Sequence, residues 1–471
     1  MPPAGHPRDS VQGKKSRAGV VKPMPTSPKD LRAFLKLLER DKKLQVVRRP
    51  VDIESIPREA EKREKKGQAV LFKEINGRSG ALVSNLLVRR ESIALALGCT
   101  PEEVLKEYVR RRNHSLKPVI LSRGPSQEVI RTGDKADARL LPALTHCEKD
   151  AGPYITAGIA IATDPETQIR NVSINRIQVI GARELLINIP QHLGQIQAKA
   201  EAMGKPLEVA IAVGNHPIDL MTACSKPPYG LDEFDLSGGL RETPLELVAC
   251  KSISVEVPAR AEIVLEGEVS PHARKKEGPF GDFMGYYVPV TQSHVFQLKT
   301  ITHRRGFIFQ AIRAGSVEDG HLLSLPREAD IYSALIEKGI QVESVSLHTT
   351  LFNGFISIRK KHEDETRTVM STAFDVYPWL KVCVVVDHDV DVFDARDVWW
   401  AVGTRSCPQR GTVLINDSPG FYRDPYRLHQ SKLGIDATAP LGQWNEFERT
   451  RIPDPRRKRR HTEKHQVPST K

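Results

Sequence analysis

Apolar residues recur with a helical period soon after residue 26. Leu31, Phe34, Leu35 and Leu38 stand at i, i+3, i+4 and i+7, so they form one stripe on a helix. The preceding Ser-Pro-Lys-Asp segment carries a hydroxyl, a proline and a carboxylate, and we expect Ser27 to be the N-cap. An amphipathic helix therefore begins the folded part of the chain.

β-rich runs dominate residues 127 to 305, and beyond about residue 320 strands alternate with helices. The central runs predict a mainly β region, either a barrel or a sandwich. The later alternation predicts an α/β layer with a largely parallel sheet, a helix from Arg327 to Lys338 and another helix capped by Asp394. The fold class is therefore mixed α/β and multidomain. The main predicted strands are Ile155–Ala162, Val209–Val213, Ile253–Val257, Ala261–Val269, Val342–Leu347, Phe355–Ile358, Val382–Val386 and Thr412–Ile415.

The net charge of +12 on 471 residues is concentrated at the two ends of the chain. Residues 1–25 carry +4 and residues 455–471 carry +6, which leaves +2 for the body. Basic runs at chain ends are usually solvated, so we expect disordered tails at 1–25 and 453–471. Nucleic-acid binding through the tails is the weaker alternative. Pattern changes divide the rest into domains at 26–124, 125–305 and 306–452.

Several classes of protein are excluded by what the sequence lacks. Six cysteines with no close pair exclude a disulfide scaffold and a zinc ribbon, and they fit a reducing compartment. No apolar stretch approaches 18 residues, so we expect a cytoplasmic protein that does not cross a membrane. The Asp387–Val398 segment resembles a calcium loop but lacks the required glycine and glutamate, so calcium is excluded there.

Residues 171–176 alternate polar and apolar side chains, as a strand with two different faces does. Asn171, Ser173 and Asn175 fall on one face, whereas Arg176 falls in phase with the apolar face. Either a bulge redirects Arg176, or its guanidinium is buried beside a carboxylate or a ligand, because an unpaired buried charge is very costly. A structural ion pair and a substrate clamp are equally open at this point.

Residues 276–286 contain three glycines and one proline, which predicts a tight loop. Glu277 and Asp282 flank its turn and can face one cavity. Two carboxylates that share a site raise the pKa of one of them, which keeps a proton available at neutral pH. The alternative is a solvent-exposed polar turn.

His192 follows an apolar run, and Glu233 lies in an acidic segment just after Tyr229. A neutral imidazole with amide and carboxylate oxygens suits Mn²⁺ or Mg²⁺, especially an ion that also holds a phosphate. The alternative is that His192 is a capped structural residue.

Together these segments resemble the UbiD family of prenylated-FMN-dependent decarboxylases. The resemblance covers roughly residues 27–452 and implies an α/β N-terminal region, a central split β-barrel like that of flavin reductases, and a C-terminal α/β oligomerisation domain. The motifs that carry it are N-x-S-I-x-R at 171–176, P-Q-H at 190–192, Glu233 before S-G-G-L, E-G-P-F-G-D at 277–282 and S-K-L-G-I-D-A-T at 431–438.

The resemblance also implies catalytic roles. Arg176 would grip the leaving carboxylate, Glu277 would orient that grip, and Asp282 would donate the proton that replaces CO₂. Many relatives carry Glu at the position of Asp282, so substrate reach can differ here. Asn188 beside the P-Q-H turn is a weaker pocket residue that suits a hydroxylated or heteroaromatic acid.

The implied cofactors are prenylated FMN, Mn²⁺ (or Mg²⁺) and K⁺. The metal on the cofactor phosphate would be held by Asn171, His192 and Glu233, and K⁺ would lie on backbone carbonyls around Thr222–Ser225. The residues implied to bind the flavin are Asn171, Val172, Ser173, Ile174, Arg176, Gln191, His192, Glu233 and Lys432.

The implied activity is reversible, non-oxidative decarboxylation of an aromatic, heteroaromatic or α,β-unsaturated carboxylic acid. The implied partners are that acid and CO₂, a flavin prenyltransferase that supplies the cofactor, and further copies of the chain in a homodimer or homohexamer. The alternative from a different class is a non-catalytic flavin-binding or oligomeric scaffold protein.

Overall fold

The first helix of the computed structural model, α1 (Leu31–Arg40), buries the predicted apolar stripe. The structure describes residues 27–225, 227, 229–347, 351–427 and 430–450, so the predicted tails lie outside it. Asp30 is the N-cap, because its carboxylate accepts a hydrogen bond from the Ala33 amide. The predicted Ser27 cap is wrong: its hydroxyl donates instead to the Ala96 carbonyl.

The N-terminal region packs short helices against a small sheet. Strands β1 and β2 pair in parallel, β2 and β3 pair antiparallel, and a later strand at Ile308–Gln310 extends the sheet beside β3. The elements are α1, β1 (Leu44–Val47), α2 (Ile56–Glu64), β2 (Ala69–Phe72), β3 (Ala81–Ser84), α3 (Arg90–Leu97) and α4 (Val104–Arg112).

The central region is built on a nine-stranded sheet in the order β6-β9-β10-β17-β14-β11-β7-β8, with β5 beside β17. A three-stranded sheet, β13-β12-β4, packs beside it. The elements are β4 (Val119–Leu121), β5 (Val129–Thr132), β6 (Tyr154–Ile155), β7 (Ile159–Thr163), β8 (Arg170–Ile174), β9 (Ile177–Val179), β10 (Glu184–Ile187), α5 (Gln191–Ala202), β11 (Leu207–Val213), α6 (Pro217–Ala223), α7 (Glu233–Arg241), β12 (Glu246–Ala249), β13 (Glu256–Pro258), β14 (Ile263–Glu277), β15 (Phe280–Gly281), β16 (Tyr287–Val288), β17 (Thr291–His303) and β18 (Ile308–Gln310).

The large sheet curls into a half-barrel. β8 lies at one edge and β9 lies next to the other edge, yet only Asn175 and Arg176 connect them, so the two edges must approach each other. The long strands β14 and β17 bend at register shifts, one of them between Glu266 and Gly267. Gly267 is required there, because a Cβ atom would lie 2.2 Å from the Gln297 carbonyl oxygen.

The C-terminal region is an α/β layer, but its sheet is mixed rather than largely parallel. Of its strand pairs, β20–β21 and β21–β23 are parallel, whereas β19–β20 and β22–β23 are antiparallel. The elements are α8 (Val317–Glu337), β19 (Val342–Leu347), β20 (Asn353–Ile358), α9 (Glu365–Val376), β21 (Val382–Asp387), α10 (Ala395–Arg405), α11 (Pro408–Gly411), β22 (Thr412–Ile415) and β23 (Lys432–Ala437).

Helix α8 begins ten residues before the predicted start at Arg327, because Pro326 lies inside the helix rather than before it. Ser316 caps the helix, its hydroxyl accepting a hydrogen bond from the Asp319 amide. Proline usually breaks a helix by removing a donor and clashing with the preceding turn. Here α8 packs against α4, α6, α9 and β19, and this packing outweighs the local preference.

None of the helices in the described ranges combines the length and the apolar character that crossing a bilayer would need.

Candidate active site

A cavity of about 490 Å³ lies where the half-barrel meets the C-terminal region. The end of β8 and the start of α5 form one side, and the first turns of α8 form another. Residues 376–379 and 421–423 contribute the C-terminal side. The predicted site residues that line it are Asn171, Val172, Ser173, Ile174, Arg176, Asn188, Gln191, His192, Glu233 and Asp282.

Arg176 lies in the two-residue connection that closes the half-barrel, and it meets Glu277 at the end of β14. The Nη2–Oε2 distance is 2.8 Å and the Nε–Oε1 distance is 3.1 Å, which makes a two-point ion pair. β8 ends before Arg176, so no bulge is needed to redirect the side chain. The carboxylate partner required by a buried guanidinium is Glu277, whose side chain is 1% exposed.

Glu277 is held from several directions. The Tyr154 hydroxyl donates to Oε1 at 2.8 Å, and the Ser293 hydroxyl donates to Oε2 at 3.1 Å. Burial opposes ionisation of this carboxyl, but the hydrogen bonds and the charge of Arg176 outweigh burial and keep the pKa of Glu277 below its usual value. Glu277 lies behind Arg176, outside the cavity lining, and is therefore a fixed anion that orients the guanidinium.

The hairpin that carries Asp282 is fixed by Asp150. One oxygen of the Asp150 carboxylate accepts a hydrogen bond from the Gly281 amide at 2.8 Å. The other oxygen accepts from the His146 and Cys147 amides. The loop is tight, as predicted, but only Asp282 lines the cavity, so the prediction that Glu277 and Asp282 both face it is wrong for Glu277.

Asp282 itself is paired with an arginine of the C-terminal region. Arg423 Nη2 lies 3.0 Å from Asp282 Oδ2, and the side chain of Arg423 is 29% exposed. The neighbouring Phe283 ring contacts the rings of Trp379 and Phe421. An ion pair and an aromatic cluster therefore join the Asp282 hairpin to the C-terminal side of the cavity.

Polar groups near the start of β8, at Asn171 and Val172, form a second part of the site. Glu233 begins α7, is 4% exposed, and accepts a hydrogen bond from the Val172 amide at 2.9 Å. Burial raises the pKa of Glu233 to about 8. A cation beside this carboxyl would restore its charge, and Asn171 and His192 line the same cavity. This donor set fits a hard divalent ion.

The predicted potassium segment borders the cavity, whereas Lys432 lies outside the cavity lining. Ala223 and Cys224 line the cavity, but the Thr222 carbonyl already accepts hydrogen bonds from the Ser225 amide and hydroxyl. The Lys432 ammonium donates to the carbonyls of Pro378 and Leu380, at 2.6 and 3.0 Å, and lies outside the cavity lining. In this structure Lys432 fixes the segment that brings Trp379 to the cavity.

Three family models match consecutive parts of the chain. They describe the N-terminal, Rift-related and C-terminal domains of 3-octaprenyl-4-hydroxybenzoate carboxy-lyase, and they match residues 35–112, 117–317 and 320–437 respectively. The chain belongs to the UbiD family. The predicted family and the predicted mixed α/β, multidomain fold class are thereby confirmed.

Individual UbiD-family relatives match over most of their length. Anhydromevalonate phosphate decarboxylase of Methanothermobacter thermautotrophicus is 35% identical over 82% of this chain and 92% of its own. The UbiD-class enzyme HmfF of Pelotomaculum thermopropionicum, solved with FMN, is 36% identical with a TM-score of 0.87, covering 91% of this chain and 98% of its own. An evolved dimeric form of HmfF with prFMN is 37% identical, with a TM-score of 0.84 and coverage of 90% and 97%.

The motifs did not reveal three charged residues that line the cavity of this UbiD-family chain, Asp319, Arg327 and Arg423. Asp319 lies in the first turn of α8. The sequence did not predict a helix there, because Pro326 interrupts the helical pattern. Arg423 lies in a Gly-Phe-Tyr-Arg-Asp-Pro run at 420–425. An arginine among aromatics between glycine and proline is a signal of a functional loop that could have drawn attention to it.

Proposed function

We propose that this UbiD-family protein binds prenylated FMN and decarboxylates, without net oxidation, an acid whose carboxyl group is attached to an aromatic, heteroaromatic or alkene carbon. The observation that carries the proposal is the Arg176–Glu277 ion pair beside a cavity that Asp282 also lines. The names of the relatives support it, because one decarboxylates a phosphorylated acid and another was solved with prFMN.

Arg176 binds the substrate carboxylate in this proposal. A guanidinium has five N–H donors, and Glu277 engages only the Nε and Nη2 sides of it. The remaining donors are available to a planar carboxylate in the cavity, which Arg binds well through paired hydrogen bonds. Because Glu277 is almost fully buried and hydrogen-bonded, it holds the guanidinium in one orientation while the substrate is converted to product.

Asp282 supplies the proton. Loss of CO₂ from a carboxylate leaves the bonding electrons on carbon, and one proton must be added at that carbon to give the product. Asp282 lines the cavity with Arg176, and this transfer is assigned to it. The carboxyl must be protonated at that moment, so its contact with Arg423, 3.0 Å away, must be exchangeable.

The cofactor and metals are part of the same proposal. Prenylated FMN supplies an electron sink for the carbon that loses CO₂. Asn171, His192 and Glu233 would hold Mn²⁺ or Mg²⁺ on the cofactor phosphate, which fits the buried Glu233 carboxyl. K⁺ around Thr222–Ser225 is supported by the presence of Ala223 and Cys224 at the cavity wall. The chain residues proposed to contact the flavin are Asn171, Val172, Ser173, Ile174, Arg176, Gln191, His192 and Glu233, whereas Lys432 supports the segment that carries Trp379.

The proposed partners are the acid, CO₂, a flavin prenyltransferase and further copies of this chain. A homodimer or homohexamer is supported by the dimeric form of HmfF named above, and light scattering of the purified protein tests it. The proposed compartment is the cytoplasm, and the six free cysteines support this assignment.

The test is carbon dioxide release by protein coexpressed with a flavin prenyltransferase. A panel of benzoic, heteroaromatic and acrylic acids is offered to the holoprotein, with the exposed-residue variant Arg410→Gln as a control. We expect CO₂ from at least one acid, and the same activity after removal of residues 1–25 and 455–471. Modified-flavin absorbance without CO₂ from any acid would instead identify a non-catalytic flavin-binding protein.

A further inference from the structure

A second carboxyl group lies at the reaction end of the cavity. Asp319, in the first turn of α8, lines the cavity together with Asp282. Its Oδ2 atom accepts a hydrogen bond from the Gly315 amide at 2.8 Å. Gly315 is packed against the Asp282 hairpin, because a Cβ atom there would lie 3.1 Å from the Phe283 carbonyl oxygen and 3.5 Å from that of Asp282. One tight contact therefore brings the two carboxyl-bearing segments together.

Around this contact, two carboxyl groups share one guanidinium that no other carboxylate in the described ranges engages. Arg423 pairs directly with Asp282, and Arg313 is engaged by Glu64 at 3.0 Å. The two other guanidiniums of the cavity wall are also engaged, Arg176 by Glu277 and Arg327 by Asp330 at 2.9 Å. One available guanidinium can neutralise one carboxylate, so two ionised carboxylates at this end would leave a net negative charge in a poorly solvated place. The charges balance when one carboxyl is ionised beside the Arg423 guanidinium and the other carboxyl is protonated. The two carboxyls then hold one proton between them.

We propose, on the basis of the proposed function, that Asp282 and Asp319 share one proton and that Asp319 is the group that resupplies Asp282 during turnover. In the resting state Asp319 holds the proton and Asp282 is paired with Arg423. When the proton moves to Asp282, Asp319 becomes the carboxylate and Asp282 can donate. Each turnover converts one carboxylate and one proton into CO₂ and a C–H bond, and Asp319 regains its proton from water.

The electrostatic surroundings of Asp319 agree with this assignment. Burial and the Asp282 carboxylate raise the pKa of Asp319 to about 7, against the lowering effects of the Gly315 amide and Arg313. The charged groups that face it are Asp282 on the hairpin and Arg313 before α8, with Arg423 acting through Asp282. The group can therefore accept and release a proton near neutral pH.

The test compares Asp319→Asn, Asp319→Glu and the exposed control Asp364→Asn as holoenzymes with an acid that the wild type decarboxylates. We expect Asp319→Asn to lower kcat about tenfold or more at unchanged KM, while CO₂ release in a single turnover stays fast. We expect wild-type kcat to decline above pH about 7, Asp319→Asn to lack that decline, and Asp319→Glu to restore both the rate and the decline. Wild-type kcat and an unchanged pH profile in Asp319→Asn would overturn the proposal.

A titration of the aspartate carboxyls tests the proposal without enzymatic turnover. Carbon-13 NMR of aspartate-labelled wild-type protein should show one carboxyl titrating near pH 7, and Asp282→Asn should lower that titration point, because it removes the neighbouring charge. The absence of any aspartate carboxyl titrating in this range would contradict the shared proton, whatever the outcome of the decarboxylation assay. Failure to release CO₂ alone would contradict the proposed function instead.

Discussion

Two of the arginines that line the cavity, Arg176 and Arg423, are paired with carboxylates in different ways. Arg176 meets Glu277 at two points, and Glu277 is 1% exposed and accepts further hydrogen bonds from Tyr154 and Ser293. Arg423 meets Asp282 at one point, 3.0 Å away, and is 29% exposed. The first pair belongs to the closure of the half-barrel, whereas the second joins a hairpin to a loop between β22 and β23.

This difference separates a permanent interaction from an exchangeable one. A buried, multiply hydrogen-bonded pair keeps its geometry while ligands change, because breaking it leaves an uncompensated charge. A partly exposed single contact costs little to break, because water can replace it. We therefore assign the first pair to holding the substrate carboxylate and the second to a carboxyl that must change its protonation state.

Matched substitutions of the two arginines should have effects of very different size. Arg176→Gln removes the carboxylate grip and leaves Glu277 buried without its cation, so kcat/KM should fall about 10³-fold or more. Arg423→Gln should change kcat/KM by no more than about tenfold, because its contact is single and partly exposed. Steady-state kinetics of the two holoenzymes, with Arg410→Gln as control, decides this, and the reverse order of effects would refute the division of roles.

The support behind Glu277 should contribute a smaller effect. Tyr154→Phe deletes one hydrogen bond to Oε1 and leaves the ion pair intact. A hydrogen bond to a charged group is worth about 1.5–3 kcal/mol, so kcat/KM should fall about tenfold, and flavin absorbance should be unchanged. Ser293→Ala, at the longer 3.1 Å contact, should have a weaker effect in the same assay. An unaltered rate in both variants would contradict a positioning role for these hydroxyls.

The carboxyls of Glu277 and Asp319 should make the thermal stability change with pH in opposite directions. The pKa of Glu277 is lowered by folding, so its contribution is present above the unfolded pKa and lost as pH falls through the folded value. Glu277→Gln should therefore be destabilising at neutral pH, less so in acid. The pKa of Asp319 is raised to about 7, so its contribution is lost as pH rises through that value.

Asp319→Asn should therefore raise the Tm relative to the wild type above pH about 7, by about 2 °C or more, and the gain should shrink toward pH 4. Calorimetry at several pH values measures both variants against Asp364→Asn. The same pH trend for Glu277→Gln and Asp319→Asn would show that the two carboxyls do not differ as described.

Local sequence patterns predicted those parts of this molecule that depend on neighbouring residues. The stripe from Leu31 to Leu38, the Asp394 cap and the strand Val342–Leu347 all occur as expected. The start of α8 was missed because Pro326 breaks the local pattern, and only packing against other elements keeps the helix continuous.

The candidate site shows the same limit. Motifs found residues that line the cavity along β8, because they lie close together in sequence. Asp319 and Arg423 come from two further segments, so only the folded chain brings them beside Asp282. No pattern in the sequence indicated that the Lys432 ammonium, on β23, binds the carbonyls of Pro378 and Leu380.

The most direct test of the two roles is a single-turnover experiment that measures CO₂ and protonated product separately. Asp282→Asn holoenzyme retains the Arg176–Glu277 pair but lacks the proton donor, so it should release about one CO₂ per site and then turn over 10²–10⁴-fold more slowly than the wild type. Arg176→Gln should release no such burst. Steady turnover at the wild-type rate by Asp282→Asn, or a full CO₂ burst from Arg176→Gln, would contradict the account.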